Sequence, residues 1–267
     1  MNFYSIFRSS SLSFSSSKSR VILFRSGDLR SVIPTPTPKS NNNNKNTNNN
    51  DMTLTEDPPL SEMRRDYQEG HLEETEILSD PFQQFQKWLH EEVNLKNDKE
   101  PNAMTLSTCT KDAKPSARIV LLKDFDENGF VFYTNYNSRK SKELIENPFA
   151  SITFYWTQRQ IRIEGSVVKV SKEQSEAYFK TRPRASQIGA WVSEYQSSEI
   201  TKQQLVESQT KLEEKFEGAE VPMPPFWGGW RVIPSSFEFW QGRGGRIHDR
   251  LFFKPHNKGW EISRLSP

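Results

Sequence analysis

Residues 239 to 250, FWQGRGGRIHDR, concentrate the side chains best suited to holding an anionic ligand. Trp240 precedes a glycine-rich turn at Gly242, Gly244 and Gly245, and Arg246, His248 and Arg250 follow at alternate positions. If the segment after the turn is extended, these three side chains share one face, because strand side chains alternate with period two. Two guanidiniums and an imidazole on one face repel one another unless an anion sits among them, and the planar guanidinium fork suits phosphate. A solvated surface strand is the plain alternative.

Other segments supply matching groups. In RIVLLK, Arg118 and Lys123 bracket four apolar residues that read as buried sheet. On an uninterrupted strand the two cations face opposite sides, so a bulge or a strand end at Lys123 is needed for both to reach one ligand. FYTNYNSRK places Tyr133, Thr134, Ser138, Arg139 and Lys140 where a strand hands over to a helix. Backbone amides, a hydroxyl and two cations there make a phosphate site on electrostatic grounds, although a solvated helix end is the bland reading. Gln160 is an amide able to pair with a heterocycle edge. Tyr178, Arg182 and Ser186 recur every four residues and share a face on a continuous helix, a continuity that Pro183 puts in question. Two phosphate-capable groups imply two phosphorylated ligands or one polyanion. The chain contains neither a P-loop nor GxGxxG, so nucleotide binding through those motifs has no support.

These groups need a scaffold, and the periodicity predicts one. DPFQQFQKWLHEEV (80 to 93) reads as a helix capped by Asp80, with Phe82, Phe85, Trp88 and Leu89 as its apolar stripe. From residue 103 the period becomes two, in segments 103 to 109, 116 to 125, 129 to 135, 150 to 156 and 159 to 170. Their close spacing and turn signals predict an antiparallel barrel. Helices are expected at 138 to 148, 172 to 183 and 197 to 218, a short amphipathic segment at 61 to 70, and final strands at 229 to 241, 246 to 255 and 259 to 267. The fold class is therefore mainly β with peripheral helices.

The first 51 residues differ from the rest. Residues 1 to 27 hold ten serines and no acid, and an asparagine tract follows at 41 to 50. Serine and arginine without carboxylate is the pattern of an organelle transit peptide, and the tract is low-complexity linker. We divide the chain into a 1–51 disordered extension and a 52–267 folded domain. The extension implies a plastid or mitochondrial destination, or the cytoplasm if it carries no targeting signal. It holds seven Lys/Arg against two Asp, a net +5, and the remainder 29 against 32, a net −3. A slightly acidic folded part argues against a nucleic-acid partner. No run of 18 apolar residues is present, so no membrane partner is expected. Cys109 is the single cysteine and the four histidines are scattered, which leaves no intrachain disulfide and no expected metal site.

In order along the chain, MRRDY, RIVLLK, FYTNYNSRK, RPRASQIGAWVSEYQS, PPFWGGWRV, FWQGRGGRIHDR and SRLSP resemble the pyridoxamine/pyridoxine 5'-phosphate oxidase family over about residues 61 to 267. The resemblance implies an FMN-binding split β-barrel, a homodimer with FMN at the subunit interface, and oxidation of pyridoxamine or pyridoxine 5'-phosphate by O2 to pyridoxal 5'-phosphate. By motif position it implies FMN contacts from Arg118, Tyr133, Thr134, Ser138, Arg139, Lys140, Gln160, Gln196, Ser197, Trp240 and Arg250. Substrate contacts are expected from Lys123, Tyr178, Arg182, Ser186, Arg246 and His248, with Arg64 and Tyr67 closing over the site. Arg246 and His248 are the expected catalytic pair. One departure stands out: only Thr157 and Gln158 separate FYW from RQI, about two residues fewer than the family pattern, so a tighter turn that retains Gln160 is expected. A related split-barrel flavin reductase and a non-catalytic carrier of pyridoxal phosphate or FMN are the alternatives. The cations at 182, 246 and 248 and serine at 186 favour the oxidase, since a generic FMN binder does not need them.

Overall fold

Fifteen-residue β7 (Trp227–Gln241) is the strand from which the fold is best understood. In this computed structural model, which describes residues 59–63, 67, 70–95 and 100–267, its register with β6 (Arg159–Lys169) runs from Trp230 to Gln241. Its other edge is shared. The first part pairs with β4 (Gly129–Asn135) and the last with β8 (Asp249–His256), which in turn pairs with β9 (Gly259–Arg264). β5 (Phe149–Trp156), β1 (Ala103–Cys109), β2 (Pro115–Leu121) and β3 (Asp124–Asp126) complete a sheet with the path β2-β1-β5-β6-β7-β4-β3. Every pairing is antiparallel.

The two ends of that path, β2 and β3, are joined by only Leu122 and Lys123, so the sheet curls until its ends adjoin. Backbone hydrogen bonds from Leu122 N to Asn102 O (2.8 Å) and Lys123 N to Val131 O (2.9 Å) stitch the seam. Alternation then sends one set of side chains inward: Met104 and Leu106 from β1, Ile152 and Phe154 from β5, Ile161 and Ile163 from β6, Phe237 and Phe239 from β7. α1 (Pro81–Asn94) packs on this core. Asp80 caps it by accepting from Phe82 N at 2.8 Å, and its stripe buries Phe85 and Trp88 completely or nearly so.

Several expectations are corrected. The segment 116 to 125 is two strands broken at Leu122 and Lys123, because the chain turns there from one sheet end to the other. The run between Arg118 and Lys123 is only partly core: Ile119 is 64% exposed while Leu122 is buried, since β2 lies at the start of the path with β1 as its only partner strand. The helix expected at 172 to 183 ends at Thr181 as α3 (Lys172–Thr181), and a separate α4 (Arg184–Val192) follows. Arg182 adopts φ −72°, ψ 145°, the extended geometry that a following proline imposes. α2 (Arg139–Glu146) and α5 (Lys202–Lys215) are shorter than expected, each starting after its hydroxyl cap, Ser138 and Thr201. The strand expected from Arg246 begins only at Asp249. Half of the 61 to 70 segment (64–66, 68 and 69) and the 1–51 extension lie outside the described residues; Leu60 to Glu62 form a turn.

Phe85 is fully buried, with Phe125, Phe130 and Phe154 within 4.9–5.0 Å between ring centroids. Phe85→Ala should cost about 3–5 kcal/mol in urea unfolding followed by far-UV circular dichroism. A loss below about 1 kcal/mol would mean that α1 does not close the barrel.

Candidate active site

The turn from β4 into α2 builds the first cationic group. Asn135 Oδ1 accepts from Asn137 N at 2.6 Å, Ser141 Oγ donates to Asn135 O at 3.0 Å, and Trp230 Nε1 donates to Ser141 Oγ at 3.1 Å. Ser138 caps α2 by accepting from Ser141 N. The turn thus pinned presents Arg139 and Lys140. Arg139 Nε donates to Glu143 Oε1 at 2.8 Å, and Lys140 Nζ to Thr134 Oγ1 at 3.1 Å. From the neighbouring sheet, Arg118 donates to Leu106 O (3.1 Å), Thr108 Oγ1 (2.6 Å), Ser116 Oγ and Glu143 Oε2 (3.3 Å). Ser197, at φ 74°, accepts from Arg139 N at 3.3 Å.

Two guanidiniums therefore share the Glu143 carboxylate while Lys140 lies nearby on Thr134, leaving positive charge in surplus. Burial lowers the pKa of Arg118 and of Lys140, the latter also through the Arg118 charge. Burial would raise the Glu143 carboxyl, which is 3% exposed, but hydrogen bonds from Ser116, Thr108 and Arg139 outweigh it and hold the pKa down at about 2.

Beside this group lies an aromatic cleft. Tyr133 stacks on Tyr178 with centroids 4.0 Å apart and planes at 16°, and on Trp227 at 5.5 Å. The stack needs glycine opposite it: a Cβ on Gly229, the register partner of Tyr133, would lie 2.8 Å from that ring. Arg182 sits with its guanidinium carbon 4.8 Å from the Trp227 ring, and its buried Nη1 has no hydrogen-bond partner among the described residues. A buried, unpaired guanidinium donor is costly unless a ligand accepts from it. Burial lowers the pKa of Arg182 and raises that of Tyr178, and burial pushes Tyr133 up to about 12, with Asp124 and Tyr178 adding to it. Ser186 is half-buried in the first turn of α4. The exposed Lys123 lies at the β2–β3 seam, where the strand does end as the shared-ligand geometry requires. Gln196 is exposed in the turn after α4, its N–H donating to Ser193 O at 3.0 Å.

A third group forms at the far end of β7. Gln160, Trp240 and Arg250 are register partners across β6, β7 and β8, and so line up on one face. The Thr157-Gln158 turn is tight, pairing reaches Trp156 with Arg159, and Gln160 keeps its place opposite Trp240. Arg250 Nε donates to the buried Glu238 at 2.8 Å. Tyr67 stands edge-on to Trp240 (5.7 Å) and to His248 (5.5 Å), and Trp240 and His248 lie 4.7 Å apart. Gly242 makes room for this, as a Cβ there would be 2.7 Å from the Tyr67 ring. His248 Nδ1 accepts from Arg243 N at 3.1 Å, which places the proton of the neutral ring on Nε2.

Arg246, His248 and Arg250 do not share a strand face as expected. Gly245 and Arg246 have φ of 64° and 62° inside a short 3-10 turn (Gly244–Arg246), so the chain reaches strand geometry only afterwards. A non-glycine residue held at positive φ is strained, and such strain gathers at functional sites. Of the four described non-glycine residues at positive φ, two are Ser197 and Arg246. Arg64 lies outside the described residues. Glu143 and Trp227 were missed by sequence reasoning. The first was findable from its i,i+4 spacing to Arg139 on a helix, whereas nothing local marks Trp227 as a stacking partner. Among the described residues no group of three or more His, Cys, Asp or Glu could hold a metal ion.

Residues 90–214 match the pyridoxamine 5'-phosphate oxidase family, and residues 227–267 match the pyridoxine 5'-phosphate oxidase C-terminal dimerisation region. The chain is 62% identical over 212 residues to pyridoxine-5'-phosphate oxidase of Dictyostelium discoideum, covering 78% of this chain and 93% of that protein. The chain belongs to the pyridoxine/pyridoxamine 5'-phosphate oxidase family. Another family member, from Acaryochloris marina, is 49% identical over 78% of this chain and 95% of its own length. Among solved structures, PhzG from Burkholderia lata in complex with tetrahydrophenazine-1-carboxylic acid superposes with a TM-score of 0.68 at 28% identity, over 72% of this chain and 95% of that one. A pyridoxamine 5'-phosphate oxidase-related, FMN binding protein from Nostoc punctiforme gives 0.55 at 17% identity, over 68% and 95%. The curled sheet is thus the split barrel of this oxidase family. The N-terminal extension lies beyond the stretch aligned with the relatives, and no helix among the described residues is long and apolar enough to cross a membrane.

A carboxyl whose folded pKa is depressed contributes stability that is present above its unfolded value and lost as pH falls through the folded one. For Glu143 that window runs from the ordinary 4.5 down to about 2. Unfolding midpoints measured across it should fall less steeply for Glu143→Gln than for the unaltered protein. Parallel curves would show that this carboxylate does not hold the cation cluster.

Proposed function

We propose that this family member carries out the oxidase reaction with FMN bound in a site completed by two copies of the chain. The protein oxidises pyridoxine or pyridoxamine 5'-phosphate to pyridoxal 5'-phosphate. Pyridoxine 5'-phosphate and O2 give the aldehyde and H2O2; the amine also consumes water and releases ammonia. The observation that carries the substrate assignment is Arg182, whose buried Nη1 has no partner among the described residues and lies beside a flat aromatic stack.

The residues present fit FMN. The surplus positive charge of Arg118, Arg139 and Lys140, with the hydroxyls of Thr134, Ser138 and Ser197, suits the FMN phosphate. Tyr133, Gln160, Gln196, Trp240 and Arg250 would contact the remainder. When bound, FMN would supply the redox chemistry for two-electron oxidation of the substrate by O2. Arg182, Ser186, Lys123 and Tyr178 hold the substrate phosphate, fixing the pyridine ring at a distance from the reacting carbon. Arg246 and His248 position the ring and its reacting substituent, and Arg64 and Tyr67 cover it.

Within one copy these groups are set far apart along β7. Tyr133 pairs with Gly229, and Trp240 lies eleven residues further along β7, about 35 Å of strand contour. No small ligand spans that length. A homodimer in which the Trp240 end of one copy meets the Arg139 end of the other resolves it, and the match of residues 227–267 to a dimerisation region supports that arrangement. The serine- and arginine-rich extension would direct the chain to a plastid or mitochondrion.

The test is aldehyde formation by FMN-loaded protein supplied with pyridoxine 5'-phosphate. Arg182→Ala should raise KM about 30-fold or more while FMN affinity, read by flavin fluorescence, stays within about twofold. Equal KM values would remove Arg182 from the substrate site.

A further inference from the structure

Arg264, near the end of β9, makes five hydrogen bonds with its guanidinium. Nε donates to Glu74 Oε1 at 2.8 Å. Nη2 reaches Glu74 Oε2 at 2.5 Å, Glu73 Oε2 at 3.1 Å and Leu72 O at 2.9 Å, and Nη1 reaches Asp249 Oδ1 at 2.7 Å. Asp249 is 4% exposed and also accepts from Leu72 N at 3.0 Å and from Arg243 Nη1 at 3.3 Å. The backbone N of that same Arg243 donates to His248 Nδ1. One buried carboxylate and one guanidinium thus tie three parts of the chain together: residues 72–74, the 242–246 turn, and the last strand. A cavity of about 910 Å³ lies against them, with Tyr67, Glu73 and Arg243 in its lining.

The location argues against a role confined to stability. Glu73 and Glu74 side chains are each 46% exposed, and such pairs contribute little to folding. Leu72 and Ile77 already anchor this segment in the core. What the cluster does fix is where the segment leaves the barrel, just after Tyr67 has crossed Trp240 and His248.

We propose that Arg264 and Asp249 are positioning residues, which clamp residues 72–74 onto β8 and β9 so that Tyr67 is held over the His248 side of the substrate site. This rests on the reading above that Tyr67 and His248 border the substrate. It predicts an effect on substrate capture rather than on turnover, because Arg264 reaches His248 only through Asp249 and Arg243.

Steady-state kinetics with pyridoxine 5'-phosphate on the FMN-loaded full chain test it, using Arg264→Gln, Tyr67→Ala and the two combined. Arg264→Gln should raise KM about tenfold with kcat within about twofold, and FMN affinity should not change. Since both substitutions act through one ring, the combined variant should be no worse than Tyr67→Ala alone. Arg264→Lys, which keeps the charge and loses the fork, should recover part of the KM. If Arg264→Gln does not fold, Glu73→Gln with Glu74→Gln gives the same comparison from the exposed side, with a KM rise of a few-fold. A raised KM in Tyr67→Ala with none in the Arg264 or glutamate variants would overturn the clamp and leave the site reading intact. No effect in Tyr67→Ala would overturn the site reading and the clamp with it. Fully additive effects would show that Arg264 acts by another route.

Discussion

The register of β7 is the constraint on which the rest depends. One strand pairs with β6 along most of its length while its other edge is divided between β4 and β8. A slip of one residue would turn Phe237 and Phe239 out of the core and drive Glu238 and Trp240 into it. The aromatic core therefore fixes the site. Because the strand is long, it also sets the Tyr133 and Trp240 ends apart along the sheet, which is why the proposed site calls on a second copy.

Electrostatics explains why those ends are poised for ligands. Arg118 and Arg139 share a single buried carboxylate, Lys140 beside them bonds only a hydroxyl, and Arg182 has no carboxylate partner among the described residues. Uncompensated cations in a partly desolvated place destabilise the empty protein and favour any state in which phosphate accepts from them. Binding then stabilises the fold by mass action. Glu143 has two effects in this arrangement: it holds two guanidiniums in a fixed geometry, and it limits the surplus charge to what phosphate can neutralise.

Much of this was legible in the sequence because local rules governed it. Period-two runs located the strands closely, Asp80 and the stripe through Trp88 defined α1, and the seven motifs identified the family. Tertiary constraints decided the rest. The break at Lys123 follows from the sheet curling back on itself, which no window of ten residues shows. Pro183 was read as a doubt about one helix, whereas it starts a second and turns Arg182 inward. The Arg246 to Arg250 alternation suggests a strand directly after the turn at Gly242, Gly244 and Gly245; the turn extends through Arg246, at a positive φ that sequence does not disclose. Glu238 and Asp249 were invisible as partners because they pair with Arg162, Arg250 and Arg264 across strands, whereas Glu143 shows only its local partner Arg139 and not Arg118.

The central claim is that each active site takes its halves from two copies of the chain. Hybrid dimers measure this directly: Arg182→Ala and His248→Ala chains carrying different affinity tags are co-expressed, and the doubly tagged species is isolated and assayed. The account predicts that each variant alone is nearly inactive, while the hybrid, with one intact and one doubly altered site, recovers about half of normal activity per dimer. A hybrid no more active than the two parent variants would contradict it.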